Sequence, residues 1–230
     1  MKLAAITDEI SQEFEHALDV MLEYDVRAAE LRGLWGTNIA DLSPAQVSRA
    51  RKALDGRGIS VCSLSTPTYK CELESDDATV EGRMHLAQAR GHGQQMELLR
   101  RCCGLAHKFE CSIVRVFSFW RRGPLTADVE RRIVDSFTEP VAIAEQEGVT
   151  LVLENEHACF IGTGEEAARV AAAVNSTRLR LCWDPGNALV AGETPYPNGY
   201  ERVRGFTAHV HVKDGEMDSD GITPRWCVVG

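Results

Sequence analysis

From the first residues onward, apolar strand-like runs alternate with helix-like stretches, and nothing else in this 230-residue chain constrains its fold as much. Residues 3–7, 27–31, 59–64, 111–117, 149–153, 179–183 and 209–212 read as seven strands. Between them, residues 11–24 carry Phe14, Ala17, Leu18 and Met21 on one helical face, with Ser11 at the N-cap position. Ser43-Pro44 opens a second helix, since proline is favoured at the first helical position. Residues 95–107, 127–147 and 165–174 supply further helices, the second of them kinked at Pro140. Strands that alternate with helices predict a parallel sheet. The chain has neither a Gly-x-Gly-x-x-Gly turn nor a Gly-Lys-Ser/Thr loop, so a barrel is expected rather than a nucleotide-binding open sheet.

A closed barrel takes eight strands and about 250 residues. Here the last residues, Trp226-Cys227-Val228-Val229-Gly230, form an apolar run with no helix after it. The expectation is therefore one domain over residues 1–230, a (β/α)8 barrel lacking its C-terminal helix and eighth strand. Such a barrel would leave strand edges unpaired, which makes a homo-oligomer compatible with the sequence.

Three of the strand-like runs end on an acid or a base: Glu154 after residues 149–153, Asp184 after 179–183, and His211 after 208–210. A parallel barrel gathers the C-terminal ends of its strands at one mouth, so residues distant in sequence meet there. Two carboxylates and an imidazole suit one divalent ion of the Mg, Mn, Co or Zn kind. Taken singly, each of the three could instead cap a helix or begin a turn. Glu156 shares the strand face of Glu154, because side chains alternate, and is a candidate proton carrier. The remaining stretch of note, residues 66–94, is long, polar and charged. It reads either as a lid or binding loop or as a surface excursion with a short helix around 80–90.

The formal net charge of −9 argues against nucleic acid as a partner, since phosphate contacts rest on Lys and Arg. The N-terminus lacks the apolar core of a signal peptide, and no apolar run is long enough to span a bilayer. None of the eight cysteines has Cys-x-x-Cys spacing, so reduced, buried thiols and a cytoplasmic location are expected.

The motifs Leu153-Glu154-Asn155, Trp183-Asp184-Pro185-Gly186-Asn187 and His209-Val210-His211-Val212-Lys213-Asp214, supported by Ala29-Glu30-Leu31-Arg32-Gly33 and Val114-Arg115-Val116-Phe117, resemble the sugar phosphate isomerase/epimerase group with the xylose isomerase-like barrel. The resemblance implies that Glu154, Asp184 and His211 are three of four metal ligands. The fourth, a Glu ending the eighth strand, has no counterpart here. It implies an isomerase or epimerase acting on a sugar, sugar phosphate or hydroxy-ketone through a metal-stabilised enediolate; Glu154 and Glu156 are the candidate catalytic carboxylates for it. Ketose 3-epimerases of the group carry a second Glu and a His where this chain has Phe160 and Asn187, which points away from a dedicated free-ketose epimerase.

Glu30, Arg32, Arg115, Asn187, His209 and Lys213 occupy positions suited to substrate hydroxyls or to support of the ligands. Buried bracing pairs would look the same in sequence. Trp35 and Trp120 could form an apolar wall or simply pack. Three competing readings stand beside the isomerase. One is a polyol-ketone dehydratase, which begins with the same proton abstraction. Another is a metal-dependent phosphodiesterase acting on damaged DNA, disfavoured by charge and by only seven histidines. The third is a non-catalytic, truncated sugar-binding protein.

Overall fold

The computed structural model describes residues 2–78, 84–219, 224–227 and 229. Seven parallel strands form one sheet in sequence order: β1 (Ala5–Ile6), β2 (Ala28–Leu31), β3 (Ser60–Leu64), β4 (Ile113–Val116), β5 (Thr150–Glu154), β6 (Leu179–Trp183) and β7 (Thr207–Val210). Each strand pairs only with its sequence neighbours, so β1 and β7 are the two ends of the order. The expected alternation and the parallel, barrel-type sheet are both present.

Strand periodicity decides which residues reach the helices and which face the interior of the curved sheet. Leu151, Leu153, Leu179, Leu181, Trp183, Ala29, Leu31, Val114 and Val116 all join the main apolar cluster together with helix residues such as Ile143, Ala144 and Val170. Their alternates are buried but stand outside that cluster: Val152 and Glu154, Cys182 and Asp184, Ala28 and Glu30, and Arg115. The helix-facing set supplies the cohesion, at about 1.5–3 kcal/mol for each fully buried large side chain. The inward set holds the polar groups, all toward the C-terminal ends of the strands.

The helices follow from local signals. α1 (Thr7–Ile10) and α2 (Phe14–Glu23) take the place of the single helix expected over 11–24, and Ser11 is the C-cap of the first rather than an N-cap. α3 (Pro44–Asp55) starts with a capping box between Ser43 and Gln46, as its Ser-Pro opening predicts. α4 spans Gln95–Lys108. The kinked helix expected over 127–147 is instead two helices, α5 (Ala127–Ser136) and α6 (Thr138–Glu147), joined at Phe137. Pro140 has no N–H to offer the carbonyl of Ser136, four residues earlier. That carbonyl accepts a hydrogen bond from Tyr69 Oη at 2.7 Å instead. α6 ends on Gly148 at φ 67°, a left-handed C-cap for which glycine carries no steric cost. α7 (Gly164–Val174) has a capping box between Thr163 and Glu166, and the short α8 covers Pro185–Val190.

The long 66–94 stretch carries no helix at 84–90, and the remainder of the short helix expected there lies outside the described residues. Its described part is tied to the segment that follows β2. Asn38 Nδ2 donates to the carbonyl of His85 at 3.0 Å, the N–H of Gln88 donates to Asp41 at 2.9 Å, and Arg90 pairs with Asp41. After β7 the chain forms an antiparallel hairpin of Asp214–Met217 with Pro224–Cys227.

Candidate metal centre

Two motifs interlock to hold the first two acids. Asn155, directly after Glu154, donates through Nδ2 to the carbonyl of Asp184 at 2.8 Å and accepts the N–H of Asp184 on Oδ1 at 2.8 Å. Asn187 returns the contact, donating Nδ2 to the carbonyl of Asn155 at 2.8 Å. One asparagine thus satisfies both backbone groups of Asp184 and fixes the end of β6 against the end of β5. Asp184 itself has two tasks. Its Oδ1 accepts the N–H of Asn187 at 2.8 Å and caps α8, while Oδ2 turns to the sheet interior. The helix-cap and site readings of this residue are therefore both realised, one on each oxygen.

His211 lies one residue beyond β7, its N–H bonded to the carbonyl of Trp183 at 3.0 Å. Its Nδ1 stands 3.2 Å from Glu154 Oε1 and 3.9 Å from Asp184 Oδ2. One donor atom from each of Glu154, Asp184 and His211 lies within 4.8 Å of the others. Donors at 2.0–2.6 Å around a common ion are separated by roughly 3–5 Å, so the spacing is that of a coordination shell. Glu154 Oε2 is buried and lacks a well-aligned hydrogen-bond donor, although Arg115 Nη1 is 2.9 Å away. A hard-to-borderline O,O,N donor set with an under-satisfied carboxylate oxygen fits a divalent ion.

The electrostatics agree with that fit. Burial favours the neutral form of Glu154, yet the Arg115 guanidinium and the His211 imidazole hold it far below the usual carboxylate range. Burial pushes Asp184 up, against the pull of the Lys213 ammonium 3.0 Å from Oδ2. For His211, burial favours the neutral ring, but the Cys182 sulfur and the carboxylates of Glu154 and Glu30 raise it well above its ordinary value. Glu30 accepts from His211 Nε2 at 3.1 Å and from His209 Nε2 at 2.6 Å, and it also takes the Ser65 hydroxyl. A proton on His211 Nε2 leaves Nδ1 as the free ligand atom, the arrangement in which a carboxylate orients a metal-binding histidine.

Cys182, His209 and His211 form a second group of donors at similar spacing. It shares His211, both its Nε2 atoms serve Glu30, and burial pushes the Cys182 thiol up to about 12. The Glu154–Asp184–His211 group is the better site. The multi-ligand cluster a several-metal phosphodiesterase needs is not formed among the described residues.

Several expected substrate contacts are committed elsewhere. Arg32 is buried in ion pairs with Asp8 at 2.9 Å and with Glu9, so it braces the N-terminal helix. Glu30 and His209 support His211 rather than opening toward a ligand. Arg115 pairs with Glu154, and its guanidinium lies 4.4 Å from the Phe117 ring centre. Lys213 Nζ reaches Asn187 Oδ1 at 2.8 Å as well as Asp184. Its stem passes so close to Gly186 that a Cβ there would meet Lys213 Cε at 2.6 Å. Trp35 packs edge-on against Phe14 at 5.4 Å, away from the strand ends, whereas Trp120 is fully buried beside Lys70. All eight cysteines are free thiols; Cys227 is exposed, contrary to the expectation of burial.

Glu156 pairs with residues the sequence did not mark. Its carboxylate lies 3.0 Å from His157 Nδ1 and 3.5 Å from Lys70 Nζ. Burial would raise Glu156, but His157 and Lys70 outweigh it and hold the carboxyl at about 2. Lys70 is buried, its Nζ 4.3 Å from the Phe117 ring centre. His85, from the same long stretch, is pushed down to about 3 by burial and then by Arg32, Arg115 and Lys70. Both sit in a polar segment without periodicity, where only the unusual loop length was a signal.

The family model described as "Xylose isomerase-like TIM barrel" matches residues 18–226. An inosose dehydratase of Clostridium beijerinckii is 23% identical, the match covering 85% of this chain and 64% of that one; the chain thus spans less than two thirds of this curated relative. Among solved structures, the probable 3-DHS dehydratase AsbF of Bacillus anthracis superposes with a TM-score of 0.72 at 15% identity, over 94% of this chain and 74% of its own. An IOLI protein with a bound zinc atom gives a TM-score of 0.71 at 17% identity, with the same coverage. A D-tagatose 3-epimerase-like protein gives 0.69 at 17% identity, over 97% and 78%. At these identities the structural likeness is one of fold. With strand order, strand-end motifs and the family match over nearly its whole length in agreement, the chain belongs to the xylose isomerase-like TIM barrel family.

Proposed function

We propose that this chain forms the catalytic barrel of a divalent-metal-dependent enzyme that removes the proton beside the carbonyl of a sugar or polyol ketone. The observation that carries the reading is the convergence of one donor atom each from Glu154, Asp184 and His211 within 4.8 Å. These three residues would hold the ion, with Glu30 orienting His211 and Arg115 fixing Glu154. When bound there, a divalent ion supplies Lewis-acid polarisation of the substrate carbonyl. Glu154 is spent as a ligand, so Glu156 is the carboxylate left to accept the proton at Oε2.

Returning that proton to the substrate gives isomerisation or epimerisation. Expelling a hydroxyl from the next carbon gives dehydration. The second outcome is favoured by one specific observation, the sequence relationship to an inosose dehydratase. Substrate in D2O separates the reading from its rivals. Metal-loaded protein should exchange the hydrogen beside the carbonyl for deuterium, followed by NMR, and Glu154→Gln should lose both metal binding and exchange. Exchange that persists in Glu154→Gln or in exhaustive chelator would overturn the reading.

A further inference from the structure

The segment after β3 runs alongside the chain after β4. Phe117 donates its N–H to the carbonyl of Thr68, Phe119 to Tyr69 and Trp120 to Cys71, each at 2.9 Å. These bonds flank Lys70 on both sides, and its side chain is buried. The side chain is 3% exposed, and its Nζ stands 4.3 Å and 5.6 Å from the ring centres of Phe117 and Trp120. A carboxylate oxygen of Glu156 stands 3.5 Å from Lys70 Nζ. Glu156 is in turn two residues from Glu154 and 14% exposed. A cation and a carboxylate therefore face one another at the rim of the candidate metal centre, both on well-fixed backbone.

We infer that Lys70 is a catalytic residue of a dehydration, the acid that expels the β-hydroxyl while Glu156 takes the α-proton. The inference rests on the α-proton reading above. In the first step the C–H bond beside the carbonyl breaks, its proton forms an O–H bond on Glu156, and its electron pair enters the enolate. In the second step that pair forms the new C=C bond, the neighbouring C–O bond breaks, and the departing hydroxyl takes a proton from Lys70 Nζ as water. Lys70 is left a neutral amine and Glu156 a neutral acid. Their separation of 3.5 Å lets the proton pass from Oε2 back to Nζ, which restores both groups. The sum is loss of one water, with no oxidant or further acid required. Because acid and base stand side by side, proton and hydroxyl leave from the same face of the substrate. The elimination is syn.

A carboxylate–lysine pair that merely braces the barrel would look similar, and the two roles separate experimentally. Inosose in D2O serves as the probe, with α-deuterium incorporation and enone formation followed together by NMR. Lys70→Met keeps the buried stem, and melting curves report whether the variant is folded. Removing a general acid costs about 10²–10⁴-fold, so elimination should fall at least 100-fold while α-exchange remains measurable. Lys70→Arg keeps the charge but cannot release a proton, and should fail to restore elimination.

The pairing is also read without turnover. Lysine ¹⁵N NMR of the metal-free protein, with the Nζ resonance assigned by its loss in Lys70→Met, should show that resonance move in Glu156→Gln. Elimination at wild-type rate in folded Lys70→Met or Lys70→Arg, or joint loss of exchange and elimination in Lys70→Met, would overturn the assignment. Wild-type protein that exchanges without eliminating would overturn it too, and would leave the α-proton reading standing. Wild-type protein that does neither would overturn both.

Discussion

Lys213 holds the position at Asp184 that an ion would claim, so removing it should strengthen metal binding. Its ammonium is 3.0 Å from Asp184 Oδ2. Two unit charges at that distance interact by about 5.5 kcal/mol at an effective dielectric of 20 and about 1.4 kcal/mol in water. Lys213 is 34% exposed, so screening brings the value toward the lower figure. An ion at Asp184 must displace that attraction, and it then meets the ammonium as a like charge. Both effects have the same sign. A gain of about 1–2 kcal/mol, or about 5–30-fold in affinity, is expected for Lys213→Met. The cap of α8 survives the change, since it uses the other oxygen of Asp184. Isothermal titration with Mn²⁺ or Mg²⁺ reads the effect, and Lys213→Arg, which keeps the charge, should show no gain. An unchanged or weakened affinity in Lys213→Met would show that Asp184 Oδ2 is not a ligand atom.

Three further outcomes are expected. Glu30→Gln removes the carboxylate that orients His211, and metal affinity should fall about 10–100-fold; equal titration curves would leave Glu30 a mere brace. Tyr69→Phe strips the Ser136 carbonyl of its donor and should cost about 1–2 kcal/mol in denaturant melts. In a Pro140→Ala background, which restores a backbone N–H to that carbonyl, the same change should cost about 1 kcal/mol less, and equal costs would refute the account of the helix break. Burial would raise Glu166, but Arg121 at 2.7 Å and the N–H groups of Gly162 and Thr163 lower it below 4.5. Its contribution is therefore complete above about pH 4.5 and is lost as pH falls through the folded value, so Glu166→Gln should destabilise at pH 7 and converge with wild type in acid melts.

The alternating strand and helix pattern and the strand-end acids were legible because both rest on short-range periodicity. Glu154, Asp184 and His211 each follow an apolar run, and a parallel sheet brings such ends together whatever lies between them. For Arg32 and Glu30 the sequence offered a substrate contact or a supporting role and could not choose between them. Arg32 is bound by acids 23 and 24 residues away, and Glu30 by histidines about 180 residues away. Lys70 and His85 were hidden for a different reason: their segment has no period, and its course is set by the backbone bonds of residues 117–120 and by contacts with Asn38 and Asp41. The division of residues 127–147 at Phe137 was half legible. Proline foretold a disturbance, but only the tertiary partner, Tyr69, shows where the freed carbonyl goes.

That partner has a consequence at a distance. Tyr69 precedes Lys70, and its hydroxyl is moored to the outer ring of helices at the junction between α5 and α6. The rim of the candidate site is thus anchored to the outside of the barrel through one side chain. A change at that junction, remote from any ligand or substrate, would slacken the tether and let the Lys70 backbone drift relative to Glu156. Variation among natural or laboratory sequences at residues 136–140 should therefore alter turnover as well as melting temperature, although nothing there ever touches the reacting molecule.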